Sequence, residues 1–107
     1  MVGPADGRPD VHVIIARWRC RPADAEWIGG RLLALAEASR KEPGCLSYLP
    51  HRQLEAEGSF AIVEQYADEA AFQAHVKSEH FNRIALGEIV PRLLERAVEH
   101  FVPLGDG

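Results

Sequence analysis

Val11 to Cys20 reads VHVIIARWRC and Phe60 to Tyr66 reads FAIVEQY, and the way their side chains divide between two faces decides the fold. Both stretches are rich in β-branched and aromatic residues, which suit the pleated, half-buried surface of a strand. Side chains alternate along a strand, so Val11, Val13 and Ile15 face one way while Ile14, Ala16 and Trp18 face the other. Phe60 and Ile62 likewise oppose Ala61 and Val63. An antiparallel sheet with one wet face carries polar residues there. These two strands are apolar on both faces for much of their length, so both faces need a cover.

The segments around them supply one cover. Pro22 suits a first helical turn, and Asp24 and Glu26 lie where the helix dipole favours acid. Ile28, Leu32, Leu35, Ala36 and Ser39 then recur at helical spacing until Pro43-Gly44 stops the helix. Gly29-Gly30 within it costs about 1 kcal/mol per residue against alanine, which predicts close packing there. Cys45 to Arg52 (CLSYLPHR) reads as a strand, Glu55 to Ser59 as a turn, and Phe60 to Tyr66 as the other arm of a hairpin. Asp68 caps a short helix through Val76, and Ser78 caps a second from Glu79 that Pro91 bends or ends. Ala97 to Leu104 reads as the last strand.

The order is β-α-β-β-α-β: an α+β, ferredoxin-like domain over residues 11–104, with a four-stranded antiparallel sheet and helices on one face. Residues 1–10 (MVGPADGRPD) lack periodicity and read as a mobile tail. Two helices cover one face only. A second copy is the simplest cover for the other, so a homodimer through sheet faces is expected.

Composition narrows the partners. Hydrophobic residues at 47% and charged residues at 26% are an ordinary globular balance, and 107 residues make one domain. The longest clean apolar run, Val13 to Ala16, is too short to cross a bilayer, and the first ten residues lack the apolar core of a signal peptide. No membrane partner and a cytoplasmic location follow as expectations. A formal net charge of −4 without a basic cluster gives no footprint for nucleic acid. Cys20 and Cys45 form no C-x-x-C pair, so free thiols are expected.

Two stretches carry a family likeness: EPGCLSY (Glu42 to Tyr48) and EQYADEAAFQAHVKSEHF (Glu64 to Phe81). They resemble the antibiotic biosynthesis monooxygenase family, dimeric α+β barrels that include cofactor-free quinone-forming oxygenases and quinol monooxygenases. The resemblance covers about Val11 to Leu104. It implies oxidation of a small electron-rich phenol or hydroquinone by dioxygen, without a cofactor. The haem-degrading branch of the same superfamily needs an asparagine in the first strand, a tryptophan ending the third and a histidine in the last helix. Here residues 11–20 hold no asparagine, Tyr66 stands at the tryptophan position, and Phe81 to Leu94 hold no histidine.

The candidate residues follow from chemistry and placement. His75 shares a helix face with Phe72 and Val76, and a histidine there can take a phenolic proton near neutral pH. Its structural role would be one hydrogen bond to a backbone carbonyl. Glu64 and Tyr66 share a strand face; Glu64 is either a base with a raised pKa or the partner of Arg17, Arg19 or Arg52, the ion pair being favoured. Tyr48 offers a hydroxyl and a ring to an aromatic substrate, while Phe72, Phe81 and Trp18 line its cavity. His75, Tyr66 and Glu64 are thus the candidate catalytic set, and Tyr48, Phe72, Phe81 and Trp18 the candidate substrate-binding set. His75 and His80 lie five apart, off one face of a continuous helix, and their only apparent further donors are the distant His51, His100 or Glu64; no metal is expected. No phosphate loop or dinucleotide fingerprint occurs, so no cofactor is expected. The same barrel could instead serve as a non-catalytic small-molecule-binding or stress-associated protein, or host an isomerase or decarboxylase.

Overall fold

A computed structural model describes residues 10–105. The tail expected over residues 1–10 lies, apart from Asp10, outside the described residues. The chain runs β1 (His12–Cys20), a 3-10 turn (Pro22–Asp24), α1 (Ala25–Ser39), β2 (Cys45–Arg52), β3 (Ser59–Tyr66), α2 (Glu69–Val76), α3 (Phe81–Ile89, wound in the wider π pattern), a second 3-10 turn (Val90–Arg92) and β4 (Leu93–Phe101). The strands form one antiparallel sheet in the order β2-β3-β1-β4, the ferredoxin-like α+β arrangement.

The alternation in β1 and β3 sets the layers. Ile14, Ala16, Trp18 and Cys20 of β1, and Phe60, Ile62, Glu64 and Tyr66 of β3, are buried beneath the helices. The α1 face of Ile28, Leu32, Leu35 and Ala36 packs on them, joined by Ile84, Ala85 and Ile89 of α3. On the opposite face Val13, Ile15, Ala61 and Val63 are half-buried, while Leu49 and Phe101 are exposed. This outer apolar field is shorter than alternation suggests. Arg17 pairs with Glu99 at 3.3 Å and Arg19 with Glu95 at 2.8 Å, so one end of the face is ionic.

Two expectations are corrected. The last strand begins at Leu93 and ends at Phe101 rather than running from Ala97 to Leu104. Pro91 fits a single 3-10 turn, and the chain is already extended at Leu93 (φ −86°, ψ 142°). The adjacent charges Glu95 and Arg96 hide the strand period on this exposed edge. The close packing expected at Gly29-Gly30 is absent: a Cβ at Gly29 would make ordinary contact 3.8 Å from the Phe60 ring, and one at Gly30 would meet nothing within 4 Å. The real close approach is at Gly44, where a Cβ would overlap that of Ala71 in α2. Among the described residues no helix is long and apolar enough to cross a membrane.

Candidate active site

The site begins with how α2 is seated. The Asp68 carboxylate accepts the Ala71 N–H at 2.8 Å and starts the helix at once after β3. The Ala67 N–H donates to the Gly44 carbonyl at 2.8 Å, and the bare Gly44 backbone lets Ala71 press against the turn that follows α1. Helix α2 is therefore clamped to the turn carrying Glu42. At its far end the Ser78 hydroxyl donates to the His75 carbonyl at 2.7 Å and accepts the Phe81 N–H at 3.2 Å. The chain breaks direction there and starts α3, as the Ser78 cap predicts.

That break defeats the spacing argument about the two histidines. On one continuous helix His75 and His80 would diverge; on two segments they converge. His75 Nδ1 lies 2.9 Å and His80 Nε2 2.5 Å from the same oxygen of Glu42. His75 thus bonds a carboxylate rather than a backbone carbonyl, and His80 is a half-buried partner of the same Glu42. An ionised carboxylate only accepts, so both imidazoles present N–H to it. No sequence period links Glu42 to residues 33 and 38 positions later. The one available signal was its place at the head of the EPGCLSY stretch.

His75 is 1% exposed. Its ring centre lies 5.4 Å from that of Tyr48, 5.3 Å from that of Tyr66 and 5.0 Å from that of Phe81. Burial lowers its pKa more than the hydrogen bond and charge of Glu42 raise it, and His80 lowers it further. Its stable form near neutrality is the neutral ring with Nδ1–H toward Glu42 and a lone pair on Nε2.

Between the sheet and α2–α3 lies a cavity of about 490 Å³, whose walls include Trp18, Tyr48, Glu64, Phe72, His75 and Phe81. All four expected substrate-binding residues reach it, with His75 and Glu64. Tyr66 does not line it: fully buried behind the wall, it donates its hydroxyl to Glu64 Oε1 at 2.6 Å. Among the described residues the arginine pair expected for Glu64 is absent: Arg17 and Arg19 sit on the other face with Glu99 and Glu95, and Arg52 stands opposite Phe60, four residues away along β3. Burial pushes the Glu64 carboxyl up to about 7, against the Tyr66 hydrogen bond that lowers it and with the charge of Glu42 that raises it. The Tyr48 hydroxyl stays protonated, its pKa raised well above the ordinary phenol value by burial and then by Glu64.

Three polar atoms of Glu64, Tyr48 and His75 are left over. The second Glu64 oxygen, the Tyr48 hydroxyl and His75 Nε2 have no hydrogen-bond partner among the described residues. None of them is sealed, because the buried side-chain atoms lacking a partner there are Trp18 Nε1 and Ser39 Oγ. A largely apolar, aromatic cavity, with Arg96 also in its wall, thus presents one base, one hydroxyl and one carboxyl titrating near neutrality. That set can receive a flat ring bearing a hydroxyl and take its proton.

The chain is similar in sequence and fold to known proteins. The family model described as antibiotic biosynthesis monooxygenase matches residues 11–85. A solved protein of Pseudomonas aeruginosa is 31% identical, with a TM-score of 0.82 over 92% of this chain and 98% of its own. A solved structure named antibiotic biosynthesis monooxygenase is 25% identical, with a TM-score of 0.83 over 88% of this chain and 99% of its own. A solved protein of Mycobacterium tuberculosis is 26% identical, with a TM-score of 0.81 over 90% and 97%. An uncharacterized protein of Synechocystis sp. is 28% identical over 93 residues, 87% of this chain; the chain spans 62% of that relative's length.

Proposed function

Because the chain belongs to the antibiotic biosynthesis monooxygenase family, we propose that it is a cofactor-independent monooxygenase oxidising a small electron-rich phenol or hydroquinone with dioxygen to a quinone. The observation that carries this is His75: its Nδ1 is tied to Glu42 and its ring stands in the wall of an aromatic cavity with Nε2 unpartnered. Nε2 takes the phenolic proton, and the phenolate is electron-rich enough to reduce dioxygen. For a phenol with a free para carbon, one O–H and one C–H bond break. One oxygen atom becomes the new carbonyl, and the other leaves as water with both hydrogens. Four electrons pass from the ring to dioxygen, and a hydroquinone gives a hydroxyquinone by the same balance. Phe72, Phe81 and Trp18 hold the ring, and the Tyr48 hydroxyl donates to its oxygen. Glu64 is the second proton carrier, and Tyr66 acts through Glu64 rather than on the substrate.

Oxygen consumption against a panel of phenols and hydroquinones, with chelator-treated protein and without flavin, tests this. The right substrate turns over, and His75→Gln lowers its kcat by roughly 100-fold or more, the scale of a lost general base. Glutamine fills the space against Tyr48 and Tyr66 that alanine would leave empty. Full turnover in His75→Gln would remove the mechanism.

The outer face belongs to the same proposal. Val13, Ile15, Val63, Leu49 and Phe101 form an apolar field flanked by the two Arg–Glu pairs, and a two-fold copy presents the same field to it. Sedimentation at low micromolar concentration then gives about twice the 11.9 kDa chain mass. A stable monomer would refute the dimer.

A further inference from the structure

We propose that Glu42, His75 and His80 form a binding site for a divalent cation of the zinc type, at the Nδ1 edge of the His75 ring. The three ligand atoms come from three segments, the turn after α1, the last turn of α2 and the entrance of α3, and all lie within 4.8 Å of one another. Two imidazole nitrogens with one carboxylate oxygen suit zinc and its first-row neighbours; magnesium and calcium favour all-oxygen shells. Neither Glu42 nor His80 lines the cavity. Their side chains are 14% and 20% exposed, which gives an ion a route from solvent and leaves a fourth position for water. With metal–ligand bonds of about 2.0–2.1 Å, tetrahedral donors stand roughly 3.3 Å apart. The present spacings of 2.5 and 2.9 Å to Glu42 need to open by less than an ångström, within reach of the partly exposed His80 and Glu42 side chains.

An ion on Nδ1 also reverses the ring. It displaces the Nδ1 proton that Glu42 now accepts, and a neutral imidazole ligand then carries its proton on Nε2. The cavity-side atom becomes a donor and can no longer take a phenolic proton. This second consequence, a zinc-inhibited oxygenase, rests on the function proposed above; the site itself does not.

Calorimetric titration of chelator-stripped protein with zinc decides the site. One ion should bind in the micromolar range or tighter. Glu42→Gln and His80→Ala should each weaken it by roughly 100-fold or more, since even the outer partners of a metal ligand carry 10–100-fold. Cys45→Ser and His100→Ala should leave it unchanged, and the cobalt derivative should show no thiolate charge-transfer band. Millimolar binding, or an affinity indifferent to Glu42 and His80, would overturn the proposal and leave only a hydrogen-bonded cluster. Nitrogen NMR of the His75 ring should show Nε2 gaining its proton as zinc is added. Zinc bound through these residues with turnover unchanged would leave the site standing and remove Nε2 as the base.

Discussion

The two halves of the helix–sheet interface are built by the same chain rules and end in opposite states. Under α1 the contact is dry: Ile28, Leu32, Leu35 and Ala36 close on Ile62 and Cys20, all at 1% exposure or less. Under α2 and α3 the same inner face carries Glu64, Tyr66 and Tyr48, met by His75, and a cavity remains. The difference lies in two strand positions and one glycine. Where β3 places Ile62 the interface fills; two residues later it places Glu64, and Gly44 lets α2 bring a histidine over it. One half supplies stability, and the other exposes polar groups to a space that a ligand can enter.

The largest break in this comparison is on the dry side. Leu35→Ala removes a fully buried side chain that α1 and the sheet enclose completely, and should cost roughly 3–5 kcal/mol in urea unfolding. The folded fraction should keep its turnover per molecule, because Leu35 lies outside the cavity wall. A loss below about 1 kcal/mol would mean that the dry half is not what holds the sheet to its helices.

The same division marks what the sequence makes legible. Strand alternation, the Asp68 and Ser78 caps and the Pro43-Gly44 stop are local signals, and they place β2 and α2 at their observed bounds. They also bring Phe72 and His75 to the inner side of α2. Strand β4 is poorly legible because an exposed edge strand need not alternate, and Glu95-Arg96 does not. The role of Glu42 is not local at all. It depends on Ala71 seating against Gly44 and on the break at Ser78, two tertiary events that spacing along one helix does not encode. The pairing of Glu64 failed for a related reason: Arg17 and Arg19 sit one residue out of phase, on the other face of the sheet, and Arg52 stands opposite Phe60, four residues away along β3.

A pH titration sharpens the wet half. The carboxyl of Glu64 titrates near 4.5 in the unfolded chain and at about 7 in the fold, so the fold binds the extra proton between those values. With the folded state holding more protons, stability falls as pH rises through that window and levels above it. A shift of this size corresponds to roughly 3 kcal/mol across the window. Glu64→Gln keeps an acceptor for Tyr66 and removes the titration. Urea unfolding from pH 5 to pH 8 should show this part of the slope vanish, leaving the variant the more stable at the alkaline end. An unchanged slope would place Glu64 in contact with water rather than in a low-dielectric wall.

Tyr66→Phe should have the smallest effect, and its pH dependence is what makes it informative. The hydroxyl lost is buried and donates to one acceptor, Glu64 Oε1, at 2.6 Å. Near pH 5 that acceptor is a neutral carboxyl, and an ordinary hydrogen bond is worth about 1 kcal/mol. Near pH 8 it is a carboxylate, and a bond to a charged group is worth about 1.5–3 kcal/mol. The cost of Tyr66→Phe should therefore grow with pH, opposite in sense to the relief given by Glu64→Gln. Since this bond lowers the Glu64 pKa, its loss should also move the Glu64 transition upward. In the Glu64→Gln background the acceptor no longer ionises, so the cost should stay at about 1 kcal/mol at every pH. A double-mutant cycle measured at pH 5 and pH 8 separates these terms. A coupling energy equal at both would show that Tyr66 packs against Glu64 without tuning its charge, and Glu64 would then owe its raised pKa to burial and the charge of Glu42.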